Sequence, residues 1–369
     1  MIDLLTKESF GQRFFKKIDL GLIFLCILLT SFSLLILYSL EISLFKSQLQ
    51  YFLFGFLIFF IVSRIDYQVL KGFYLPIYVV SILLLLLNPI FGQVTRETTR
   101  WIRIGSLNFQ SSEFVKPLLL LFFAAIVEKL DFNKFKSILI FIFCLFVPVF
   151  LVFKQPDLGS ALVILISSFS ILFYKGLPKK YFFIGFLTFI IVTPLSWGLL
   201  KPYQRERVTS FVNPSYDPLG TGYNLIQSRI ALGSGQFLGQ GLGQGSQSQL
   251  RFLPERHSDF IFASLGEELG FLGTGIVILV FFFLILRIVS YLSLNMDLFS
   301  SSICFGTAVI LGFQIVVNLG MNLGLLPITG LTLPLLSYGG SSLVSTFILL
   351  GLVQSGVRQS QGKKAIEIK

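Results

Sequence analysis

The sequence predicts an all-α polytopic membrane protein of ten transmembrane helices with both termini cytoplasmic, and three observations carry that prediction. Apolar residues make up 54% of the 369, with Phe alone occurring 43 times. That is far more apolar surface than a soluble domain of this length can bury. Ten apolar stretches are each long enough to cross a bilayer, which takes about 17–25 residues: 18–40, 47–64, 72–91, 113–128, 136–153, 158–174, 181–200, 258–290, 300–323 and 338–357. The cations are distributed one-sidedly between these stretches.

With the N-terminus inside, seventeen of the 29 Lys and Arg residues fall in the cytoplasm, among them Lys16, Lys17, Arg64, Lys71, Lys129, Lys134, Lys175, Arg287, Arg358 and Lys363. The short external loops keep only Lys46 and Lys154. The net charge of +11 is therefore mostly topology, and no basic stripe interleaved with aromatics points to nucleic acid. The first apolar stretch is too long for a signal peptide. Cys26, Cys144 and Cys304 all sit inside apolar runs at unrelated spacings, so they read as core residues without a disulfide framework or metal spacing.

One integral membrane domain is expected over 1–369, with external segments at 92–112 and, between the seventh and eighth helices, 201–257. In the first, Trp101, Ile102, Ile104, Leu107 and Phe109 suit an amphipathic or strand-like piece at the interface. At the head of the fourth helix, Glu113 and Lys116 are three apart on one face and close enough to pair. In "FKQPDLGSALV", Pro156 breaks an apolar run and leaves Asp157 at the start of the sixth helix. Asp157 is there either a plain N-cap or part of an anion-binding helix start. In the large external segment, Leu225, Ile226 and Ile230 have helical spacing, and the run from Gly233 to Gly245 permits tight turns and close backbone approach. "LPERHSDFIFASLGEELG" then places Asp259, Glu267 and Glu268 at the head of the eighth apolar run, where a buried carboxylate is costly without compensation. "LPITGLTLPLLSYGGSS", uncharged and broken by Pro and Gly, reads as a re-entrant external element shielded by protein or as a kinked packing loop. The tail "RQSQGKKAIEIK" reads as a short mobile end.

The pieces "RWIRIG", "FQSSEFVKP", "KQPDLGSAL", "DPLGTGYNLIQS", "QSQLRFLPERHSDFIFASLGEELGFLG" and "NLGMNLGLLPITGLTLPLLSYGGSSL", spread over residues 100–343, resemble the SEDS family of peptidoglycan glycosyltransferases, the RodA/FtsW family. The wording of the large loop looks more like the elongation branch, RodA, than the division branch, FtsW. The resemblance implies polymerisation of lipid II, the undecaprenyl-pyrophosphate-linked disaccharide-pentapeptide, on the outer face of the cytoplasmic (inner) membrane, with a class B penicillin-binding protein transpeptidase and elongation-complex membrane proteins as partners. It places the family's essential aspartate on Asp259, its acidic and basic pair on Glu113 and Lys116, and its Q-P-D aspartate on Asp157. Ser111 and Ser258 depart from the Pro and Thr usual in the family. The first leaves the entrance to the fourth helix less rigid, and the second keeps a hydroxyl.

The expected mechanism gives one catalytic carboxylate, Asp259, to take the proton from an acceptor sugar hydroxyl. Glu267 lies eight residues on, about 12 Å deeper at helical rise, so a glycosidase-like carboxylate pair does not fit. A pyrophosphate leaving group needs neutralisation more than a proton. The substrate-binding set is Arg100, Glu113, Lys116, Lys154, Asp157, Arg205, His257 and Ser337, with Glu267 and Glu268 in support. A divalent cation near Asp259, Mg2+ or Mn2+, is a candidate cofactor. Two other classes compete. A lipid II flippase would also use polar groups in a helical bundle, although the charges here cluster near one face rather than the midplane. A scaffold would give Asp259 and Asp157 no task. Within the enzyme class the alternative is a division polymerase of the FtsW kind.

Overall fold

The computed structural model describes residues 18–91, 93–95, 98–104, 107–178, 202–213, 222–294 and 296–367, with isolated residues between 180 and 198. In chain order the elements are helix α1 (Leu20–Leu40), α2 (Ile42–Arg64), a short α3 (Tyr67–Gly72) and α4 (Tyr74–Phe91). Strands β1 (Gln93–Thr95), β2 (Thr98–Ile104) and β3 (Leu107–Gln110) follow. Then come α5 (Ser111–Lys129), α6 (Phe135–Lys154), α7 (Leu158–Tyr174), α8 (Pro202–Val212), α9 (Tyr223–Ser234) and the one-turn α10 (Ser246–Gln249). The last three are α11 (Ile261–Ser290), α12 (Leu298–Leu323) and α13 (Gly340–Glu367).

Helices cover nine of the ten apolar segments; the seventh, 181–200, lies largely outside the described residues, as do the N-terminal cations. Among the described residues, α1, α2, α6, α11, α12 and α13 are long and apolar enough to cross a membrane, and α4 and α7 are shorter apolar helices. Helix α5 carries Glu113, Lys116, Glu128 and Lys129 and is buried along most of its length between α4, α7, α12 and α13. Two packed clusters flank it and its neighbours. One joins α4–α7, the other α1, α2 and α11. Helix α12 serves both, with Ile303, Ile310 and Val317 facing the first cluster and Cys304, Leu311 and Ile315 the second. The outward face of α11, with Phe271, Leu279, Phe282 and Phe283 exposed, suits lipid.

Local chemistry explains the boundaries. Asp19, Asp157 and Asp297 each accept a hydrogen bond from the third residue of the helix they precede, at 2.9, 3.1 and 3.4 Å. Gly324, at φ 73°, ends α12 in the left-handed conformation that a side chain resists. Among the described residues, helices α4, α5 and α6 contain an internal proline, and each leaves open the carbonyl four residues back. Another helix or its cap fills each one. Leu85 O, freed by Pro89, accepts from Gln155 Nε2 at 2.8 Å. Glu113 O, freed by Pro117, accepts from Ser345 Oγ at 2.7 Å. Cys144 O, freed by Pro148, accepts from Tyr78 OH at 2.9 Å. The prolines therefore act as sockets that join helices where no water can satisfy the backbone.

Three expectations need correction. The fold is not purely α: residues 93–110 form an antiparallel sheet of order β1-β2-β3, with Ile104 opposite Leu107 and Ile102 opposite Phe109. Two Thr, one Trp and two Ile among the seven residues of β2 favour a strand. The tail is helical to Glu367 rather than a loose end. The eighth apolar run begins as helix at Ile261, not 258, and it is interrupted at Gly270.

Candidate active site

Asp259 lies in the chain of turns before α11, half-buried, and Phe260 rather than Asp259 occupies the N-cap position. Three successive carbonyls around it are held by other parts of the fold. His257 O accepts from Tyr338 N at 2.9 Å, Ser258 O from Ser337 Oγ at 2.6 Å, and Asp259 O from Asn318 Nδ2 and Asn322 Nδ2, both at 3.1 Å. The His257 ring meets the Tyr338 ring edge-on at 5.5 Å. Ser258 Oγ, which stands where a threonine was expected, donates to Glu255 Oε2 at 2.8 Å.

Glu267 and Glu268 are buried and fully engaged by the glycine-rich segment. Glu267 accepts from Gln247 N at 2.7 Å and Ser248 N at 2.8 Å, so it serves as the anion at the start of α10. Glu268 accepts from Ser39 Oγ at 2.5 Å and Gln249 Nε2 at 2.9 Å, which ties α1 to the same turn. The break at Gly270 explains how the segment holds on. A continuous helix would bond Phe271 N to Glu267 O and Leu272 N to Glu268 O. Here the loop takes all four groups: Gln240 N and Gly241 N donate to Glu267 O and Glu268 O at 2.9 and 3.1 Å, while Phe271 N and Leu272 N donate to Gln236 O and Phe237 O at 2.8 and 3.1 Å. The glycine-rich run is therefore spliced into the hydrogen-bond ladder of α11 and is no flexible linker. Close approach requires glycine, because a Cβ on Gly270 would stand 2.3 Å from Gly239 N. Arg256 closes the arrangement by donating to Ser248 O and Gln249 O.

On the neighbouring side, Lys116 Nζ sits 2.6 Å from Glu113 Oε2, and both side chains are almost wholly buried. Asp157 accepts from Ser160 N, from Ser112 Oγ at 2.9 Å and from Gln110 Nε2 at 3.2 Å. Its own carboxylate is the anion at the start of α7, so that helix start is not a vacant anion site, and the Asp157 contacts tie α7 to β3 and α5. Breaking the Glu113–Lys116 pair should be costly. Lys116→Met is expected to lower stability by about 3–5 kcal/mol, because it strands a buried carboxylate. Glu113→Gln combined with Lys116→Met should recover most of that loss. Thermal unfolding of the three variants in detergent checks it; additive losses would contradict the pairing.

The connection between α12 and α13 lies between the two sides. Leu331, Leu333, Leu335 and Leu336 are buried in it. Ser337 reaches the Asp259 segment, while Ser341 Oγ accepts from Gln110 N at 3.1 Å and donates to Asn108 O at 3.2 Å. Residues 324–339 are non-helical and 333–337 are buried, which both readings of this segment's prolines and glycines allow. Ser337, expected among the substrate-binding residues, instead spends its hydroxyl on backbone: it donates to Ser258 O and accepts from Leu333 N at 2.8 Å.

The remaining candidates are spread out. Lys154 is exposed on the last turn of α6 with its Nζ 5.1 Å from the Phe150 ring centre. Arg205, half-buried on α8, donates to Gly198 O at 2.8 Å. Arg100 lies on β2, with its side chain outside the described set. Among the described residues no three His, Cys, Asp or Glu side chains converge. The described residues therefore present no ready-made cage for a divalent cation.

Sequence reasoning missed Asn318 and Asn322. Both are fully buried, one helical turn apart on α12. The signal was present: two amides four apart within an apolar run need partners, but nothing local names them.

The chain is similar to known proteins over most of its length. A family model described as cell cycle protein (FtsW/RodA/SpoVE) matches residues 12–362. The peptidoglycan glycosyltransferase MrdB of Escherichia coli (strain K12) is 34% identical over 360 residues, covering 96% of this chain and 97% of its own length. The probable peptidoglycan glycosyltransferase FtsW of Trichlorobacter lovleyi is 36% identical over 358 residues, covering 91% and 92%. Among solved structures, the rod shape determining protein RodA of Thermus thermophilus is similar with a TM-score of 0.70 and 30% identity, over 93% of this chain and 97% of that one. A chain from a peptidoglycan synthase complex, described as coordinating polymerization and crosslinking, gives a TM-score of 0.80 and 34% identity over 93% and 98%.

Proposed function

Because the chain belongs to the FtsW/RodA/SpoVE family and is a membrane-embedded peptidoglycan glycosyltransferase, we propose that it polymerises lipid II into β-1,4-linked glycan strands for cell elongation, with Asp259 as the catalytic base. The observation that carries the assignment of Asp259 is a contrast between carboxylates. Glu113, Asp157, Glu267 and Glu268 are at most 4% exposed, too buried for an acceptor sugar to reach. Asp259 is half-buried at the head of a spanning helix, on a backbone fixed from three directions.

In the proposed step, the Asp259 carboxylate takes the proton from the acceptor GlcNAc 4-hydroxyl. The oxygen bonds to MurNAc C1 of the donor, and the bond from C1 to the undecaprenyl pyrophosphate breaks with inversion. The pyrophosphate leaves with the bonding electron pair and needs cations to meet its charge. Arg100, Lys154 and Arg205, on strand, helix end and polar helix, are assigned to the headgroup and pyrophosphate, with His257 beside the acceptor. Lys116 keeps two N–H donors beyond its bond to Glu113 for the same purpose. The topology that fits is ten spans with cytoplasmic termini, which sets Asp259 and the spliced segment on the exterior side of the inner membrane. A class B penicillin-binding protein is the partner that would crosslink the product.

The test is purified protein in liposomes with labelled lipid II, with and without the crosslinking partner and a chelator. Polymer of discrete strand lengths supports the reading. Label that merely equilibrates across the bilayer makes the protein a transporter and overturns it.

A further inference from the structure

Helix α11 starts without a cap of its own. Phe260 supplies no side-chain hydrogen bond at the N-cap, and one N–H of the first turn is met instead by Asn322, which reaches in from α12. Its Oδ1 accepts from Ala263 N at 3.1 Å, and its Nδ2 donates to Asp259 O at 3.1 Å. Asp259 O and Ala263 N are the i and i+4 groups that would form a helical hydrogen bond if α11 began a turn earlier. The Asn322 carboxamide takes both ends of that bond. Asn318 adds a second donor to Asp259 O at 3.1 Å and ties the same amide to Leu331 O at 2.8 Å, so the carbonyl's two lone pairs are both filled. Asn322 Nδ2 also lies 3.2 Å from Asn318 Oδ1, which joins the two side chains into one unit. The unit is fully buried and built on a rigid helix, the kind of support that can fix a reacting group to within fractions of an ångström.

We infer that Asn322 and Asn318 are positioning residues for the reaction: their carboxamides hold Asp259 outside α11, so that its carboxylate meets the acceptor hydroxyl rather than being wound into the helix. The inference rests on the assignment of Asp259 as the base. An Asp259 wound into the first turn would swing its side chain around the helix axis, and misplacement by about 1 Å can cost on the order of 100-fold in rate.

The experiment uses the full-length protein in detergent with labelled lipid II, comparing Asn318→Ala, Asn322→Leu and Asp259→Asn. Asn322→Leu removes both ends of the wedge, whereas Asn318→Ala removes the bonds to Asp259 O and Leu331 O but leaves the Asn322 wedge in place, so it should fold even if the first does not. The expected result is a kcat lower by about 10- to 100-fold per folded molecule, KM within a few-fold of the parent, and an unfolding temperature close to the parent's for Asn318→Ala. Faster hydrogen exchange at the Asp259 turn should accompany the loss. A parental kcat in folded Asn318→Ala or Asn322→Leu, alongside inactive Asp259→Asn, would overturn the inference and leave the base assignment standing. A fall in kcat matched by loss of lipid II binding would reduce the pair to structural support and overturn it too. An active Asp259→Asn would remove the base assignment itself, and the inference with it.

Discussion

Asp259→Asn is expected to lose roughly 100- to 10,000-fold in polymerisation rate, the range a positioned general base supplies, while the protein folds and binds lipid II as before. The substitution is nearly isosteric, and the bonds from Asn318 and Asn322 are made to this residue's backbone carbonyl, which the change leaves in place. Stability should therefore change little. The amide has no lone pair basic enough to accept the acceptor proton, so the loss should fall on kcat rather than KM. Unfolding temperature, lipid II binding and strand synthesis measured on one preparation separate these effects. A variant that unfolds or no longer binds substrate would point to a structural aspartate.

Gly270→Ala is expected to be the most damaging single change to the fold. At φ 65° and ψ −164° the backbone occupies a region essentially reserved for glycine, worth about 1–3 kcal/mol against any side chain. The new methyl would also collide with backbone of the spliced loop, at Gly239 N and the carbonyl carbons of Phe237 and Leu238. Backbone cannot swing aside as a flexible side chain can. The loop must withdraw, and the four hydrogen bonds it makes to α11, each worth about 0.5–1.5 kcal/mol, are strained or lost. The sum is roughly 5 kcal/mol, at the extreme of single-residue effects. The helix can partly compensate by closing its own ladder across residues 267–272, which sharpens the prediction. Spanning helices should survive while the 235–250 segment detaches. Limited proteolysis should then cut near Gln240 or Arg251 in Gly270→Ala and not in the parent. Resistance of the variant would contradict the splice.

Much of this architecture was legible in the sequence because membranes make helices obvious. Long apolar runs and one-sided cations located nine helices to within a few residues, apart from the start of α2 and the extended end of α13. The Glu113–Lys116 pair was readable because i,i+3 spacing on a helix fixes proximity, and Asp157 was readable because its position before a helix fixes a cap. The unread features depend on partners distant in the chain. Three of the glycines after Glu268, at 270, 273 and 275, look alike in sequence. Only the loop some thirty residues upstream determines that 270 is the break. Asn318 and Asn322 likewise advertise a need for partners without naming them, and their carbonyl acceptor lies 59 and 63 residues away. The sheet made by β1, β2 and β3 was legible only as one of two options, because aromatic and aliphatic residues next to a membrane suit an amphipathic piece as well as a strand. Asp157 shows the limit of reading a helix start as a ligand site, since the chain supplied its own anion there.

The central claim is that one carboxylate, Asp259, removes the acceptor proton. Its most direct test is the pH profile of single-turnover strand extension from bound lipid II, in the parent and in Asp259→Asn. A base works only when ionised, so the parent rate should fall on acidification through a single protonation, and the small residual rate of the variant should show no such fall. A variant profile that keeps the parental acid limb would assign that proton to another group and contradict the account.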